Sequence, residues 1–220
     1  MRKEGSKLTA VVLCNPNSPT GRMVRSDKVR VLMLAAFRTG AWVIVDETFA
    51  EYCEDCSVLA DVAGQSKMAA KLVVLRSFTK FYAVPGLRIG YLMASSAMAA
   101  RMRARLPPWS VNHLAQAAAV AALQDERHAQ RSRRFMTEER ARLTACLRGI
   151  VGVTVYPSDA NFLLAEFPRS ARAVVRAMKE YGVLLRDCSR IPGLSARTVR
   201  IAVRTRNEND RLITLLQSIL

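Results

Sequence analysis

Three short apolar runs constrain the fold of the first half of the chain more than any other feature. They cover residues 8–14, 41–45 and 72–75, and each is followed by polar residues. Runs of this length and composition are typical of strands that are buried on both faces of a sheet. A helix capped by Ser26 and ending near Gly40 would connect the first two runs. The pattern predicts a mostly parallel sheet covered by helices, with one more strand over residues 89–94.

The second half of the chain predicts helices followed by a smaller mixed unit. A short helix over residues 97–105 ends before two prolines, and Asn112 caps a long helical region that reaches about Arg148. Beyond Gly149 the patterns indicate strands over 153–156, 161–167, 183–186 and 199–203. They also indicate helices over 171–181 and 208–219, the second capped by Asn207. We therefore expect a partial large domain over 1–110, a linking helical region over 111–148 and a small α+β domain over 149–220.

Composition narrows the class of protein. Apolar residues make up 50% of the chain, which is enough for one or two domains with cores, yet no apolar run is as long as a membrane helix. The basic start at Met1 is not followed by a signal-peptide pattern, so we expect a cytoplasmic protein. The net charge of +16 comes mainly from scattered arginines. This distribution argues against nucleic acid as a partner and favours small anionic ligands. The lack of a long apolar run argues against a membrane.

The five cysteines form no regular framework. Cys53 and Cys56 are spaced as Cys-x-x-Cys, but no second pair or nearby histidine completes a zinc site. Their flanks also lack the strand-turn-helix setting of a common redox motif. We therefore expect reduced thiols, no metal site and an ordinary loop at this pair.

Side chains with complementary chemistry follow the predicted strands. Asp46 ends the second strand, Ser77 and Lys80 follow the third, and Arg88 comes eight residues later. In open α/β sheets, ligands bind at such strand ends. These groups suit pyridoxal 5'-phosphate, because an amine condenses with its aldehyde, a carboxylate holds its pyridinium proton, and a hydroxyl and a guanidinium bind its phosphate. Each residue alone is more often a solvated loop residue or a helix cap, so the combination carries the prediction.

Three segments, in order along the chain, resemble the signatures of the class I/II aminotransferases. Residues 15–21 resemble the family's Asn-Pro-Thr-Gly loop, residues 46–49 its aspartate block, and residues 77–91 its lysine site. The resemblance implies an α/β fold: the C-terminal part of the large domain of a fold type I transferase, a mostly parallel sheet with helices, plus a small α+β domain. Family members carry a further N-terminal region and form homodimers. The resemblance therefore implies a fragment of a longer dimeric enzyme.

The same resemblance implies roles for the residues at the strand ends. Lys80 would be the catalytic lysine that binds pyridoxal 5'-phosphate covalently, and Asp46 would contact the pyridinium nitrogen. Ser77 and Arg88 would bind the cofactor phosphate.

Four further residues receive candidate roles. Arg200 matches the arginine that binds the substrate carboxylate. Ser18 stands where the commonest form of the loop has the asparagine that contacts the cofactor's ring oxygen, so either Ser18 or Asn17 is the candidate for that contact. Arg186 is the candidate for the phosphate of a small phosphorylated amino-acid substrate, although a solvated strand residue would also fit its position.

Four short segments and Phe49 favour one branch of the family. Residues 79–82, 108–112, 185–189 and 203–206 look like the decarboxylases of cobalamin biosynthesis that act on L-threonine O-3-phosphate, and Phe49 replaces a tyrosine found in many transaminases. The resemblance implies decarboxylation of this substrate to (R)-1-amino-2-propanol O-2-phosphate. Two alternatives remain open: a transaminase similar to histidinol-phosphate aminotransferase, and a truncated product without catalytic activity.

Overall fold

The computed structural model describes residues 8–53, 55–59 and 70–220. The basic start at Met1 lies outside these residues. The chain forms two compact units. The first comprises Met1–Pro16 and Met23–Ala129, and the second comprises Asn17–Arg22 and Gln130–Leu220.

A four-stranded sheet forms the centre of the first unit. In sheet order its strands are β1 (Ala10–Cys14), β2 (Trp42–Asp46), β3 (Leu72–Ser77) and β4 (Gly90–Ala94). The first three strands run parallel, and β4 runs antiparallel to β3. The mostly parallel sheet predicted from the apolar runs is confirmed. The burial expected for every run is wrong for β1, which contains no buried residue and exposes 69% of Val12.

One apolar cluster joins helix α1 (Ser26–Arg38) to this sheet. The helix contributes residues three or four apart, and the strands contribute alternate residues, as the two periodicities require. The buried members of the cluster are Val29, Met33, Ala36, Ala41, Val43, Val45, Val58, Leu72 and Val74.

The predicted cap of α1 is wrong. Ser26 is the first helical residue, Arg25 occupies the cap position, and no side chain caps the helix. Instead, the Ser26 N–H donates to the carbonyl of Asp55, at 3.4 Å. A carbonyl from a distant loop thus satisfies a helix-end donor that the sequence assigned to a local side chain.

Three helices follow β4, where the sequence predicted a short helix and one long helical region. They are α2 (Ser96–Arg103), α3 (His113–Gln124) and α4 (Glu126–Arg148). Asn112 caps α3, as predicted, by accepting from the Ala115 N–H at 2.8 Å. The long region is interrupted at Asp125, whose carboxylate accepts from the His128 N–H at 2.8 Å and so caps α4.

An antiparallel sheet forms the centre of the second unit. In sheet order its strands are β5 (Thr154–Val155), β6 (Phe162–Glu166), β8 (Thr198–Ala202) and β7 (Arg186–Asp187), and helices α5 (Ala171–Glu180) and α6 (Arg206–Ile219) belong to the same unit. The strand predicted over 183–186 is shorter and later than expected.

The cap predicted for the last helix is also wrong. Thr205, not Asn207, occupies the cap position, and it forms a reciprocal capping box with Glu208. Asn207 lies inside the first turn of α6. Both residue types cap helices well, but the capping box takes Glu or Gln three positions after the cap. Thr205 has Glu208 at that position, whereas Asn207 has the shorter Asp210.

Among the described residues, no helix combines the length and the apolar composition needed to cross a membrane.

Candidate functional site

The strand directions bring the predicted cofactor residues to one edge of the first unit's sheet. Asp46 ends β2 in register with Leu75 of the parallel strand β3. Ser77 ends β3, and Lys80 follows it. Because β4 is antiparallel, with Gly90 opposite Ser77, the segment that contains Arg88 enters the sheet at the same edge. A carboxylate, a hydroxyl, an amine and a guanidinium therefore gather where α/β sheets bind ligands.

Asp46 is held by its own turn. Its Oδ1 accepts from the Thr48 backbone N–H at 2.9 Å and from the Thr48 hydroxyl at 2.5 Å. The Asp46 carbonyl accepts from the N–H of Asn15, at 2.8 Å. Asn15 is fully buried, and its side chain exchanges hydrogen bonds with the backbone of Val24. Thr48 was not assigned a role from the sequence, although its position two residues after an aspartate is typical of such a turn.

Lys80 is exposed between two buried aromatic residues. Phe78 and Phe81 are 2% and 3% exposed, and they fix the segment on both sides of the lysine. The Phe81 carbonyl accepts from the His128 Nε2 at 3.1 Å. The Lys80 Nζ lies 5.7 Å from the centre of the Phe49 ring. This distance is within the range of a cation–π contact.

Ser77 and Arg88 are positioned by short local contacts. The Ser77 hydroxyl donates to the Thr79 hydroxyl at 2.9 Å. Arg88 has a left-handed backbone, with φ at 50°, and its guanidinium donates to the Pro85 carbonyl at 3.1 Å. Within the described residues, no hydrogen bond or ion pair joins Asp46, Ser77, Lys80 and Arg88 to one another. The structure brings them to one edge but not into direct contact.

A buried ion-pair cluster lies beside this edge. Glu47 is fully buried, and it accepts from the Arg76 Nε at 2.9 Å, while Arg76 also contacts Glu51. Burial alone would lower the pKa of Arg76, but the carboxylates of Glu47 and Glu51 outweigh it and raise the pKa. No local pattern along the chain indicates this cluster, because its members are brought together only by the pairing of β2 with β3.

Two arginines face each other in the second unit. Arg186 of β7 lies directly opposite Arg200 of β8, so both side chains project from the same face of the sheet. Within the described residues, neither guanidinium forms an ion pair with a carboxylate. The Arg200 Nη1 donates to the Ser18 hydroxyl at 2.9 Å, and its guanidinium carbon lies 4.9 Å from the centre of the Phe162 ring. Facing like charges repel, so this arrangement suits an anionic ligand.

Residues 17–21 of the Asn-Pro-Thr-Gly-like loop belong to the same unit as Arg200. The Asn17 side chain accepts from the Thr20 hydroxyl at 2.9 Å, and the Asn17 carbonyl accepts from the Gly21 N–H at 2.7 Å. The Gly21 carbonyl accepts from the Asp159 N–H, also at 2.7 Å. These bonds hold Asn17 and Ser18 in a tight turn against the segment that leads into β6.

Comparison with known proteins identifies the family of this chain. The family described as "Aminotransferase class I and II" matches residues 2–216. Threonine-phosphate decarboxylase of Salmonella typhimurium is 36% identical over 97% of this chain and 58% of its own length. Histidinol-phosphate aminotransferase 1 of Nitrosococcus oceani is 36% identical over 98% of this chain and 57% of its own.

A solved structure has the same fold. The L-threonine-O-3-phosphate decarboxylase of Porphyromonas gingivalis superposes with a TM-score of 0.83 and 28% identity, over 98% of this chain and 66% of that one. The chain spans 57–58% of the length of the two sequence relatives. Because the family match extends over nearly the whole chain, this chain belongs to the class I and II aminotransferases, a family whose members depend on pyridoxal 5'-phosphate.

Proposed function

We propose that this chain is part of a decarboxylase that converts L-threonine O-3-phosphate to (R)-1-amino-2-propanol O-2-phosphate in cobalamin biosynthesis. The observation that carries the proposal is the pair of facing arginines, Arg186 and Arg200. The substrate has two separate anionic groups, a phosphate and a carboxylate, and each matches one guanidinium. The similarity to the Salmonella typhimurium decarboxylase supports the same assignment.

The residues at the sheet edge of the first unit fit the cofactor. Asp46 uses Oδ1 to accept from Thr48, which leaves Oδ2 to hold the proton of a pyridinium nitrogen. Ser77 and Arg88 offer a hydroxyl and a guanidinium to its phosphate, and Lys80 offers the amine that binds it covalently. When bound, pyridoxal phosphate supplies the electron sink for the bond that breaks at the substrate's α-carbon.

Residues of the second unit would orient the substrate. Arg200 binds the carboxylate and Arg186 binds the phosphate, while Asn17 or Ser18 contacts the ring oxygen of the cofactor. The direction in which Arg200 would hold the substrate's carboxylate would decide the reaction, because orientation of the substrate selects the bond that breaks. Lys80 then returns a proton to the α-carbon as a general acid.

The first unit would be the C-terminal part of the large domain, and the second unit would contain the small domain. We keep the division into residues 1–110, 111–148 and 149–220 as the proposed domain organisation. The complete enzyme would be a cytoplasmic homodimer, with this chain as a fragment of each subunit.

A transaminase similar to histidinol-phosphate aminotransferase is the second candidate. The relative from Nitrosococcus oceani is as similar to this chain as the decarboxylase is, at 36% identity. In such an enzyme, Lys80 would first remove the proton from the α-carbon and later return it. The third candidate is a truncated product without activity.

The absorbance spectrum of the purified chain with pyridoxal phosphate tests the proposal. We expect a visible band that is lost in Lys80→Ala and retained in the control Lys71→Ala. Lys71 directly precedes β3, at the edge of the sheet opposite Lys80, where it donates to the Gly40 carbonyl. Release of CO₂ from L-threonine O-3-phosphate would support the decarboxylase. Amino transfer to 2-oxoglutarate would support the transaminase, and a folded chain with no band would support the inactive fragment.

A further inference from the structure

Cys53 and Cys56 bring their sulfur atoms unusually close. Both are reduced, and the two Sγ atoms are 2.9 Å apart. The bond in a disulfide is about 2.05 Å, so closure of the pair needs less than about 1 Å of movement. The loop that the sequence presented as ordinary therefore holds two thiols almost at bonding distance.

The backbone around the pair produces this approach. Cys53 directly follows a short 3-10 turn, Ala50–Tyr52, and both thiols are directed to the Ala50 carbonyl, at 3.7 Å for Cys53 and 3.4 Å for Cys56. Asp55 has a left-handed backbone, with φ at 56°, which turns the chain back toward Cys53. Aspartate is one of the few residues other than glycine that adopt this conformation as single residues.

Two anchors hold the loop on the far side of Cys56. The Asn15 side chain donates to the Cys56 carbonyl at 3.1 Å. Immediately after Cys56, the Glu47 carboxylate accepts from the Ser57 hydroxyl and from the Val58 N–H, both at 2.9 Å. Asn15 and Glu47 are both buried. The position of Cys56 is thus fixed by the core of the first unit rather than by the loop alone.

We propose that Cys53 and Cys56 form a redox-active dithiol that a small-molecule disulfide, such as oxidised glutathione, converts to an intramolecular disulfide. Cys53 is half-buried and Cys56 is buried, so Cys53 is the thiol that attacks first. Its thiolate displaces one glutathione thiolate and forms a mixed disulfide. Cys56 loses its proton to solvent, attacks the Cys53 sulfur and displaces the second glutathione thiolate. Two protein thiols are oxidised, and one glutathione disulfide is reduced to two thiols.

Peptide mass spectrometry of the whole chain tests this proposal. Trypsin cleaves after Arg38 and Lys67, and the peptide between them contains Cys53 and Cys56 but no other cysteine. After incubation in glutathione buffers and alkylation, we expect this peptide to appear unalkylated and lighter by two hydrogen atoms. It should do so at glutathione ratios at which Cys146, a half-buried control, remains fully alkylated.

Variants and denaturant distinguish a pair of thiols held together by the fold from two thiols that react independently. In Cys56→Ser, Cys53 should retain glutathione, whereas the control Cys146→Ser should still close the disulfide. In urea the hydrogen bonds from Asn15 and Glu47 to the loop are lost. The disulfide should therefore form only at a higher ratio of oxidised to reduced glutathione. Equal alkylation of the pair and of Cys146, glutathione retained on Cys53 of the unmodified chain, or no effect of urea would each overturn the proposal.

Discussion

The Arg200 guanidinium donates to the Ser18 hydroxyl at 2.9 Å, across 182 positions of the sequence. In this structure the hydroxyl that replaces the family's usual asparagine supports the arginine proposed for the substrate carboxylate. Ser18 thereby acquires a second candidate role, as a positioning residue, beside its predicted contact with the cofactor. The bond also ties the loop over residues 17–22 to strand β8.

A double-mutant cycle measures this bond without any assay of activity. We expect Ser18→Ala and Arg200→Met each to lower the free energy of unfolding, and the double variant to lose less than the sum of the two. A coupling energy of roughly 1 kcal/mol is expected for a hydrogen bond to a charged group that is partly exposed. Additive losses in urea unfolding would show that the two side chains do not interact.

The facing arginines predict a response to phosphate. We expect inorganic phosphate to raise the melting temperature of the chain, since its charge relieves the repulsion between Arg186 and Arg200. A ligand at ten times its Kd contributes about 1.4 kcal/mol. In Arg186→Met the rise should be smaller, whereas Arg103→Met, which removes an exposed arginine of α2, should leave it unchanged. An equal rise in both variants would mean that phosphate binds elsewhere.

Gly21 is predicted to tolerate no side chain. Its φ is +72°, and a Cβ at this position would lie 2.0 Å from the Ser158 hydroxyl oxygen. Gly182 is a matched control, with φ at +73° and no atom within 4 Å of the point that a Cβ would occupy. Gly182→Ala should cost about 1–2 kcal/mol of stability for the left-handed backbone alone. Gly21→Ala should cost a further ~1–3 kcal/mol for the steric conflict, and equal losses in thermal unfolding would disprove the close contact.

Loss of Arg76 should be far more damaging than loss of a surface arginine. The Arg76 and Glu47 side chains are 10% and 0% exposed, so Arg76→Met leaves a buried carboxylate without its charged partner. Breaking such a pair costs roughly 3–5 kcal/mol. The control Arg134→Met removes an exposed surface pair with Glu138 and should cost far less, because solvent screens such pairs. Chemical denaturation of both variants checks the difference, and similar losses would contradict the burial of the cluster.

The capping box of α6 predicts that the stability of the chain falls at acid pH. Hydrogen bonds from Arg204 and Thr205 lower the pKa of Glu208 from 4.5 to about 2. The pKa of Glu208 is thus lower in the folded chain than in the unfolded chain. Its carboxylate stabilises the fold at pH values above the unfolded pKa, and this contribution is lost as the pH falls through the folded pKa. The melting temperature of the chain should therefore exceed that of Glu208→Gln near neutral pH, with the gap closing between pH 4.5 and about 2. A gap that does not change with pH would rule out the ionised cap.

Much of the first unit could be predicted from local patterns. The apolar runs within β1, β2 and β3 predicted the strands of a parallel sheet, although in the structure β1 contains no buried residue. Asp46, Ser77, Lys80 and Arg88 could be selected because they follow such runs within recognisable segments. Their gathering at one edge follows from the parallel direction of the strands, which the strand-helix-strand pattern already implied.

The caps of helices and the break between α3 and α4 were harder to predict, because several residues compete for each position. Ser26 and Asn207 have good capping side chains, yet a loop carbonyl of Asp55 and the box of Thr205 with Glu208 occupy those roles. Asp125 interrupts a stretch whose composition favours one continuous helix. Intrinsic preferences differ by less than the energy of one tertiary hydrogen bond, so packing decides such cases.

The sequence by itself determined the family, the cofactor and the order of the elements, because these follow from short segments and from periodicities within ten to twenty residues of the chain. Only the tertiary structure decided which distant side chains meet. Arg186 opposes Arg200 through the register of two strands, Ser18 reaches Arg200, and Asn15 and Glu47 hold Cys56 beside Cys53. Register and loop anchoring arise from packing over the whole unit, so no local pattern in the chain encodes them.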